Sequence, residues 1–237
     1  MTAVYEQLRA DARSPVLCVA DHASNQVPED IELGIPPGAM TSHIAWDIGV
    51  DGMARTIAHR GVPTHISTVS RLVCDMHRRP ADPAAVPTVS DGIAIPGNVG
   101  ADHAERIARF HTPYHGALAA LIDEVQPRLI VALHSFTPQL ADMPEPRPWD
   151  VGLLYNRDDR AARIAIDLFA AEGLTVGDNQ PYSGKRLNAT MDRHAEGRGI
   201  PYLTIEVRQD LVADTHGQGE WAARILDVAR EVERRCA

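Results

Sequence analysis

The most constraining feature of the chain is the segment formed by residues 16–25. It starts with an apolar run, Val-Leu-Cys-Val-Ala, and turns abruptly polar at Asp21, His22 and Asn25. Short apolar runs of this composition are typical of a buried β-strand. Because ligands of α/β proteins bind at the carboxyl ends of such strands, His22 is a candidate metal ligand. Taken alone, a single histidine is more often a loop residue that only satisfies its own hydrogen bonds.

Two further segments show the same pattern, and helical patterns separate them. Residues 129–135 end in His134 and Ser135, and residues 201–208 carry Glu206 close to their end. A strand or a pair of strands is predicted at 65–74 and a further strand at 151–155. Apolar residues recur at helical spacing in 47–59, 101–125, 160–171 and 216–235. This alternation predicts one α/β domain over residues 1–237, with a mixed, largely parallel sheet flanked by helices.

Two parts of the chain are predicted to be irregular. Pro113 predicts a kink or a break in the helical segment 101–125. Residues 80–99 hold four prolines, and an irregular segment of this length within a compact domain favours a functional loop. His111 and His115 are four residues apart and could share a metal. Pro113 and the absence of an intervening glutamate favour a packing role for His111 and leave His115 open.

Composition narrows the classes of function. The formal net charge of −9 and the absence of arginine or lysine clusters argue against binding to nucleic acid or to anionic membranes. The start of the chain is polar and acidic, unlike a signal peptide, and no apolar run is long enough to span a bilayer. Cys18, Cys74 and Cys236 suggest neither a disulfide framework nor a zinc knuckle. The expected setting is therefore the reducing cytoplasm.

The polar groups at the strand ends predict a metal site. Several such groups in one α/β chain can converge on a single crevice. A catalytic zinc keeps three protein ligands, commonly imidazole and carboxylate, and leaves its fourth position to water. His22 and His134 are the predicted imidazole ligands of one Zn²⁺ ion. The third ligand is Asp47, because an anionic oxygen binds zinc better than a neutral amide does, with Asn25 as the competing candidate.

Two further residues have predicted roles in catalysis and substrate binding. Glu206 lies in an apolar strand, where burial would raise its pKa into the range useful for a general base. The alternative for Glu206 is a salt bridge with Arg208, which lies on the same face of the strand. Arg78 offers a planar guanidinium that suits the carboxylate of a small anionic substrate. Arg71 and Lys185 are weaker candidates for the same role.

Many of these residues lie in motifs that resemble the N-formylglutamate amidohydrolase family. The similarity extends over most of the chain to about Pro138 and resumes at Glu206-Val-Arg208. The matching motifs are His22-Ala-Ser-Asn25, His43-Ile-Ala-Trp46-Asp47-Ile-Gly49, Ser70-Arg71-Leu-Val-Cys-Asp75, Ser90-Asp91-Gly92, Ile95-Pro96-Gly97-Asn98, Pro113-Tyr114-His115 and His134-Ser135-Phe136-Thr137-Pro138. Together these motifs are specific, although any one of them alone would not be.

The resemblance implies a zinc-dependent amide hydrolase whose fold is similar to that of the zinc carboxypeptidases and aspartoacylase. It implies that His134, next to Ser135, is a zinc ligand and that Glu206 is the general base. It also implies that the segment Asp75-Met-His77-Arg78 binds substrate. Arg78, Arg71, Ser135 and Asp75 are therefore the candidate substrate-binding residues.

The chain departs from the wider group at two positions. Asn25 stands where that group has a glutamate ligand, which leaves the third metal ligand open between Asp47 and Asn25. His77 replaces an asparagine beside Arg78, which leaves the acyl or amino-acid part of the substrate open. The expected activity is hydrolysis of a small N-acyl amino acid, with N-formyl-L-glutamate as the first substrate. The alternatives are an N-acyl amino acid deacylase or carboxypeptidase-like enzyme with another substrate, and a non-catalytic small-molecule binding protein of the same fold.

Overall fold

A seven-stranded sheet forms the centre of the computed structural model, which describes residues 3–141, 143 and 145–236. The strands are β1 (Tyr5–Leu8), β2 (Val16–Ala20), β3 (Thr64–Ser67), β4 (Val89–Ser90), β5 (Ile93–Ala94), β6 (Leu129–Phe136), β7 (Val151–Leu154), β8 (Val176–Asp178) and β9 (Tyr202–Arg208). The sheet has the order β1-β3-β2-β6-β9-β7-β8, and β4 and β5 form a separate hairpin. The central strands β3, β2, β6 and β9 are parallel, whereas β1 and β7 run antiparallel to their neighbours β3 and β9.

Helices cover both faces of this sheet. They are α1 (Val50–His59), α2 (His103–Arg106), α3 (Thr112–Val125), α4 (Arg160–Ala171), α5 (Ala189–His194) and α6 (Thr215–Cys236). Helices α1, α4 and α6 pack on one face, and α3 and α5 pack on the other. These layers confirm the predicted fold class, a single-domain α/β protein with a mixed, largely parallel sheet flanked by helices. Within the described part of the chain, no helix has the length and apolar character needed to cross a membrane.

The central strands are continuous apolar runs because both of their faces are covered. All five residues of β2 are buried. Leu17 and Val19 face α3 and α5, whereas Val16, Cys18 and Ala20 contribute to the opposite core layer. Side chains of a strand alternate between its two faces, so the residue that follows each strand also has a defined direction. The apolar runs therefore fix the direction of the polar groups at their ends.

The strand predicted over residues 65–74 is wrong in its second half. Strand β3 ends at Ser67, and residues 68–75 are irregular, with a turn at 71–73. The Ser67 hydroxyl donates to the carbonyl of Val69 at 3.2 Å, and the Ser70 hydroxyl donates to the carbonyl of Ala45 at 2.8 Å. Serine side chains that bond to nearby backbone offer the chain an alternative to the sheet. Their hydrogen bonds outweigh the β-propensity of the run, and they place Arg71 and Asp75 on a loop.

Pro113 does not break the long helix. The chain is helical from α2 through α3, and residues Ile107–His111 between them form a π-helical turn. Pro113 lies in the first turn of α3 and lacks the N–H that a regular helix would use. A wider turn directly before the proline accommodates its ring and the missing donor. The predicted break is therefore absent, and a π-helical turn, a usual site of helix kinks, stands before the proline.

The irregular segment 80–99 packs against the loop that follows β3. Ile95 is buried together with Val69, Leu72 and Val73 in a second core cluster. The Asn98 amide donates to the carbonyls of Leu72 at 2.7 Å and Pro87 at 2.8 Å. These contacts fix the loop that carries Arg71 and Asp75. Asp91 of the same segment pairs with His43 at 2.9 Å, and His43 lines the cavity described below.

Candidate active site

A cavity of about 160 Å³ lies at the carboxyl ends of β2, β6 and β9. This is comparable to a cavity of roughly 150 Å³ that holds a benzene-sized ligand. It is lined by His22, His43, Asp47, Arg71, Asp75, His77, Arg78, His134, Ser135, Phe136, Thr137, Leu154, Tyr182, Leu187, Glu206 and Gln209. The strand ends thus converge on one crevice, as expected for parallel sheets.

His22, Asp47 and His134 come together on one side of this cavity. Asp47 Oδ2 lies 3.5 Å from His22 Nδ1 and 3.0 Å from His134 Nδ1. All three side chains are buried, and each offers one ligand atom within 4.8 Å of the other two. The structure therefore assembles the three residues predicted as metal ligands from three separate segments of the chain.

The position of Asp47 depends on the turn before α1. The Asp47 amide donates to the carbonyl of His22 at 2.8 Å, which ties the turn to the end of β2. Gly49 follows with φ +84°. A Cβ atom at Gly49 would lie 2.4 Å from the Val212 carbonyl oxygen, so both the backbone conformation and the available space require glycine. Local backbone geometry therefore directs the Asp47 carboxylate at the two histidines.

Asp75 orients His22. His22 Nε2 lies 2.7 Å from Asp75 Oδ1, and the same oxygen accepts from the backbone amide of His77 at 2.9 Å. Burial opposes ionisation of Asp75, but its contacts with His22 and the charges of Arg71 and Arg78 hold its pKa well below the usual range. An ionised carboxylate only accepts, so His22 carries a proton on Nε2 and donates it to Asp75. Carboxylates orient metal-ligating histidines in this way.

His134 makes a looser contact on its other side. Its Nε2 atom lies 3.8 Å from Asp21 Oδ2, which is too long for a hydrogen bond. The Asp21 carboxylate also contacts His77 Nδ1 at 2.7 Å and accepts from the Tyr114 hydroxyl at 2.6 Å. Burial, reinforced by the nearby His77, lowers the pKa of His134 to about 4. The imidazole is therefore neutral at neutral pH, the state in which it ligates a metal.

Arg71 brings a positive charge to the same place. Its guanidinium contacts both His22 Nδ1 and Asp47 Oδ1. Burial opposes ionisation of Asp47, but the charges of Arg71 and His22 hold its pKa well below the usual range. Burial and the charge of Arg71 lower the pKa of His22. The charges of Asp75 and Asp47 have the larger combined effect and raise that pKa to about 9. The Arg71 guanidinium thus contacts two of the three candidate ligand side chains.

The donor set fits a zinc ion. Two imidazole nitrogens and one carboxylate oxygen are the usual ligands of a catalytic zinc with three protein contacts. Of the other two ring nitrogens, His22 Nε2 contacts Asp75, and His134 Nε2 lies 3.8 Å from Asp21. Asp21, His77 and His134 form a second group with metal-ligand spacing. In that group Asp21 Oδ2 lies 2.7 Å from His77 Nδ1.

Glu206 lies beside this group without a salt bridge to Arg208. It is 7% exposed, and its Oε2 atom has no hydrogen-bond partner among the described residues. Burial, reinforced by the charge of Asp47, raises the pKa of Glu206 to about 8. Arg208 pairs instead with Asp150 at 3.0 Å and Asp210 at 2.7 Å. The salt bridge considered from the sequence is therefore absent, and the predicted rise in the Glu206 pKa is present.

The other predicted residues have varied positions. Asn25 donates to the carbonyl of Met40 at 2.8 Å and does not line the cavity, unlike Asp47.

Arg78 lines the cavity and lies 3.7 Å from both Asp75 and Asp82. Lys185 lines a separate pocket. The Ser135 hydroxyl lines the cavity but donates to the carbonyl of Ile48 at 2.7 Å. The substrate-binding roles of Arg78, Arg71, Ser135 and Asp75 stay predictions.

His111 and His115 do not converge on a metal site in the described structure. His111 Nε2 lies 3.0 Å from the carbonyl oxygen of Arg78, which agrees with a packing role. His115 Nε2 lies 2.9 Å from the carbonyl of Met76, and its Nδ1 lies 2.9 Å from His194 Nε2. Both nitrogens of His115 are thus occupied, and they hold the loop after β3 against α3 and α5.

Sequence reasoning missed Asp21, Tyr114, Tyr182 and Arg147. Asp21 directly precedes His22. Because side chains alternate along a strand, Asp21 points to the same face of the sheet as Leu17 and Val19, where it meets Tyr114. Strand alternation could have revealed this position. Tyr182 and Arg147 lie on irregular segments without periodicity, and only the folded chain brings Tyr182 to the cavity and Arg147 into contact with Tyr182.

Fold and site define an α/β protein with a buried histidine–aspartate group at the carboxyl edge of its parallel strands. Residues 14–213 match the N-formylglutamate amidohydrolase model, and the chain belongs to that family. It is similar to gene product Atu2144 from Agrobacterium tumefaciens, with 29% identity, a TM-score of 0.92, and coverage of 98% of this chain and 95% of that one. The N-formylglutamate amidohydrolase from Ralstonia eutropha JMP134 has 21% identity, a TM-score of 0.70, and coverage of 98% and 99%, respectively. No curated protein matches the chain.

Proposed function

We propose that the protein is a zinc-dependent hydrolase of small N-acyl amino acids and that N-formyl-L-glutamate is the first substrate to test. The family membership supports the reaction class. The buried group of His22, Asp47 and His134 supports the metal. The proposed products from N-formyl-L-glutamate are formate and L-glutamate.

The observation that carries the proposal is the state of Glu206. A buried carboxyl group without a hydrogen-bond partner is unfavourable for folding and is therefore expected to serve a function. Its pKa of about 8 lies close to neutral pH, where a group can both accept and release a proton. It lines the cavity together with the three candidate ligands. This combination suits a general base that acts on water.

The proposed reaction uses Glu206 as a proton shuttle. A zinc ion held by His22, Asp47 and His134 would lower the pKa of a water molecule and polarise the substrate carbonyl. Glu206 takes a proton from the attacking water as the water oxygen bonds to the acyl carbon. Glu206 then delivers that proton to the amine nitrogen as the C–N bond breaks. The second proton of the water also passes to the amine, so the acyl group leaves as a carboxylate and the amino acid leaves with a protonated amino group.

Arg71 and Arg78 have separate proposed roles. Arg71 lies against His22 and Asp47, so its charge can stabilise the negative charge that develops on the acyl oxygen. Arg78 is about one-third exposed at the cavity, and its planar guanidinium can pair with the α-carboxylate of the substrate. Asp75 is placed to orient His22 rather than to contact substrate.

A panel of N-formyl and other N-acyl amino acids, assayed for amine release with and without a chelator, tests the proposal. We expect release from at least one small N-acyl amino acid, loss of release with chelator, and recovery with Zn²⁺. Faster release from a longer acyl group would identify a different N-acyl amino acid deacylase. No release from any substrate by zinc-loaded protein would reject catalysis and favour a binding protein.

A further inference from the structure

Arg147 is a buried cation next to the candidate site. Only 7% of its surface is exposed. Arg106, which is equally buried, serves as a comparison because it has a carboxylate oxygen of Glu105 at 3.9 Å. Among residues 3–141, 143 and 145–236, no carboxylate oxygen lies within 4.0 Å of the Arg147 guanidinium. Burial of a charge without a partner is unfavourable. An anion bound beside this guanidinium would offset that cost.

Aromatic and backbone groups hold Arg147 in place. Its Nη1 donates to the Tyr182 hydroxyl at 3.1 Å and to the carbonyl of Thr137 at 3.3 Å. The guanidinium carbon lies 4.9 Å from the ring centre of Tyr182 and 5.8 Å from that of Phe136. Cation–π contacts of this kind offset part of the desolvation but neutralise no charge. The side chain is thus held by uncharged groups, and its charge acts on Glu206, where it opposes the rise in pKa that burial causes.

The three residues that hold Arg147 all line the cavity. Phe136, Thr137 and Tyr182 separate the guanidinium from the space beside Glu206. The Tyr182 hydroxyl accepts the hydrogen bond of Arg147 through a lone pair, so its own proton is available to an acceptor in the cavity. A donor polarised by a neighbouring cation binds an anion better than an isolated hydroxyl does.

We propose that Tyr182 and Arg147 form the binding site for the side-chain carboxylate of an acidic N-acyl amino acid. Tyr182 donates a hydrogen bond to that carboxylate, and Arg147 is a positioning residue that fixes the hydroxyl and supplies the positive charge. This inference rests on the proposed function, because it names the residues that select an acidic side chain in that same site.

Arg78 is less suited to this second carboxylate. It already lies 3.7 Å from both Asp75 and Asp82, which balance its charge. A substrate with two carboxylates needs two positively charged contacts, since each buried anion requires a partner. Arg78 on the loop after β3 and the Arg147–Tyr182 pair on two other loops supply them separately. The two sites can therefore be tested independently.

The test compares N-formyl-L-glutamate with N-formyl-L-glutamine, which has nearly the same shape but no side-chain charge. For the wild type we expect kcat/KM to be higher for the glutamate substrate. Arg147→Met should lower that preference about 10- to 100-fold, and Tyr182→Phe should lower it about 10-fold, the scale of a hydrogen bond to a charged group. Arg147→Lys, which keeps the charge, should restore part of the preference. Arg78→Met is the matched comparison and should impair both substrates alike.

Direct binding separates this inference from the proposed function. The affinities of both compounds are measured by calorimetry for Glu206→Gln and for the double variants Glu206→Gln/Arg147→Met and Glu206→Gln/Tyr182→Phe. A preference for N-formyl-L-glutamate that both double variants lose supports the inference even if the wild type hydrolyses neither compound. A preference unchanged in the variants, equal affinities in the Glu206→Gln protein, or no binding of either compound would overturn the inference. Hydrolysis by the wild type would leave the proposed function standing in each of those cases.

Discussion

His134 and Glu206 occupy directly paired positions on the adjacent parallel strands β6 and β9. Paired residues of neighbouring strands point to the same face of a sheet, so a candidate metal ligand and the candidate base enter one cavity together. Both side chains are almost fully buried. Strand register, rather than loop conformation, therefore sets the distance between them, which gives the site a rigid base.

The first prediction concerns this pair. Glu206→Gln keeps the shape of the side chain but cannot take a proton from water, so kcat should fall about 100-fold or more. Zinc content, measured by elemental analysis, should be unchanged because Glu206 is not a ligand. Glu233→Gln is the matched control, since Glu233 is also a buried glutamate but pairs with Arg128 away from the cavity. Normal turnover by Glu206→Gln would show that Glu206 is not the base.

The second prediction concerns the metal ligands. His22→Ala removes one of three donors, so the protein should lose zinc and activity together. His194→Gln is a suitable control because His194 is buried but contacts His115 and not the candidate ligands. Elemental analysis after dialysis against zinc-free buffer gives the metal content of both proteins. Full zinc occupancy in His22→Ala would exclude His22 as a ligand.

The third prediction tests the orienting role of Asp75. Asp75→Asn should weaken zinc binding about 10- to 100-fold, because the amide supports the Nε2–H tautomer of His22 less strongly than the carboxylate does. The change should appear in the zinc dissociation constant, while kcat at saturating zinc changes much less. Asp210→Asn, a change of the same type at an exposed residue that pairs with Arg208, should have no effect. An unaltered zinc affinity in Asp75→Asn would contradict this role.

Much of the site could be predicted because it lies at strand ends. The apolar runs before His22 and His134 define parallel strands, and the carboxyl ends of such strands converge. Glu206 could be assigned a raised pKa because an apolar strand predicts burial. In each case, a regular repeat in the sequence fixes the direction of the side chain.

The parts that could not be predicted lie on irregular backbone. The β-branched run after His65 suggested a longer strand, but serine–backbone hydrogen bonds turn the chain at Ser67 and bring Arg71 towards His22. Arg147 and Tyr182 meet through loops that are far apart in sequence. No periodic pattern marks such contacts, because tertiary packing and not local propensity determines them.

The fourth prediction concerns stability against acid. Burial lowers the pKa of His65 and His194 to about 4 and that of His115 to about 3. Between about pH 4 and 6.5 the unfolded chain therefore binds more protons than the folded one. The stabilisation that the three buried neutral histidines contribute is complete above about pH 6.5 and is lost as the pH falls. From about pH 7.5 to about pH 5, each should lower the unfolding free energy by about 2 kcal/mol.

Denaturant unfolding of the wild type and of His115→Gln measures this effect. The variant lacks one titrating group, so its unfolding free energy should fall by about 2 kcal/mol less over the same pH interval. For each protein, the unfolding free energy at one pH is subtracted from that at the other. A loss of stability in the variant that is the same at both pH values therefore cancels. Equal pH dependence in both proteins would show that His115 is not a buried neutral histidine.

Titration of metal-free protein with Zn²⁺ tests the central claim most directly. The release of L-glutamate from N-formyl-L-glutamate is followed as the ion is added. The three buried candidate ligands His22, Asp47 and His134 lie in one group, so activity should be absent at the start, rise in proportion to zinc, and reach its plateau at one ion per chain. Full activity in the metal-free protein, or no activity at any zinc concentration, would contradict a zinc-dependent N-formylglutamate amidohydrolase.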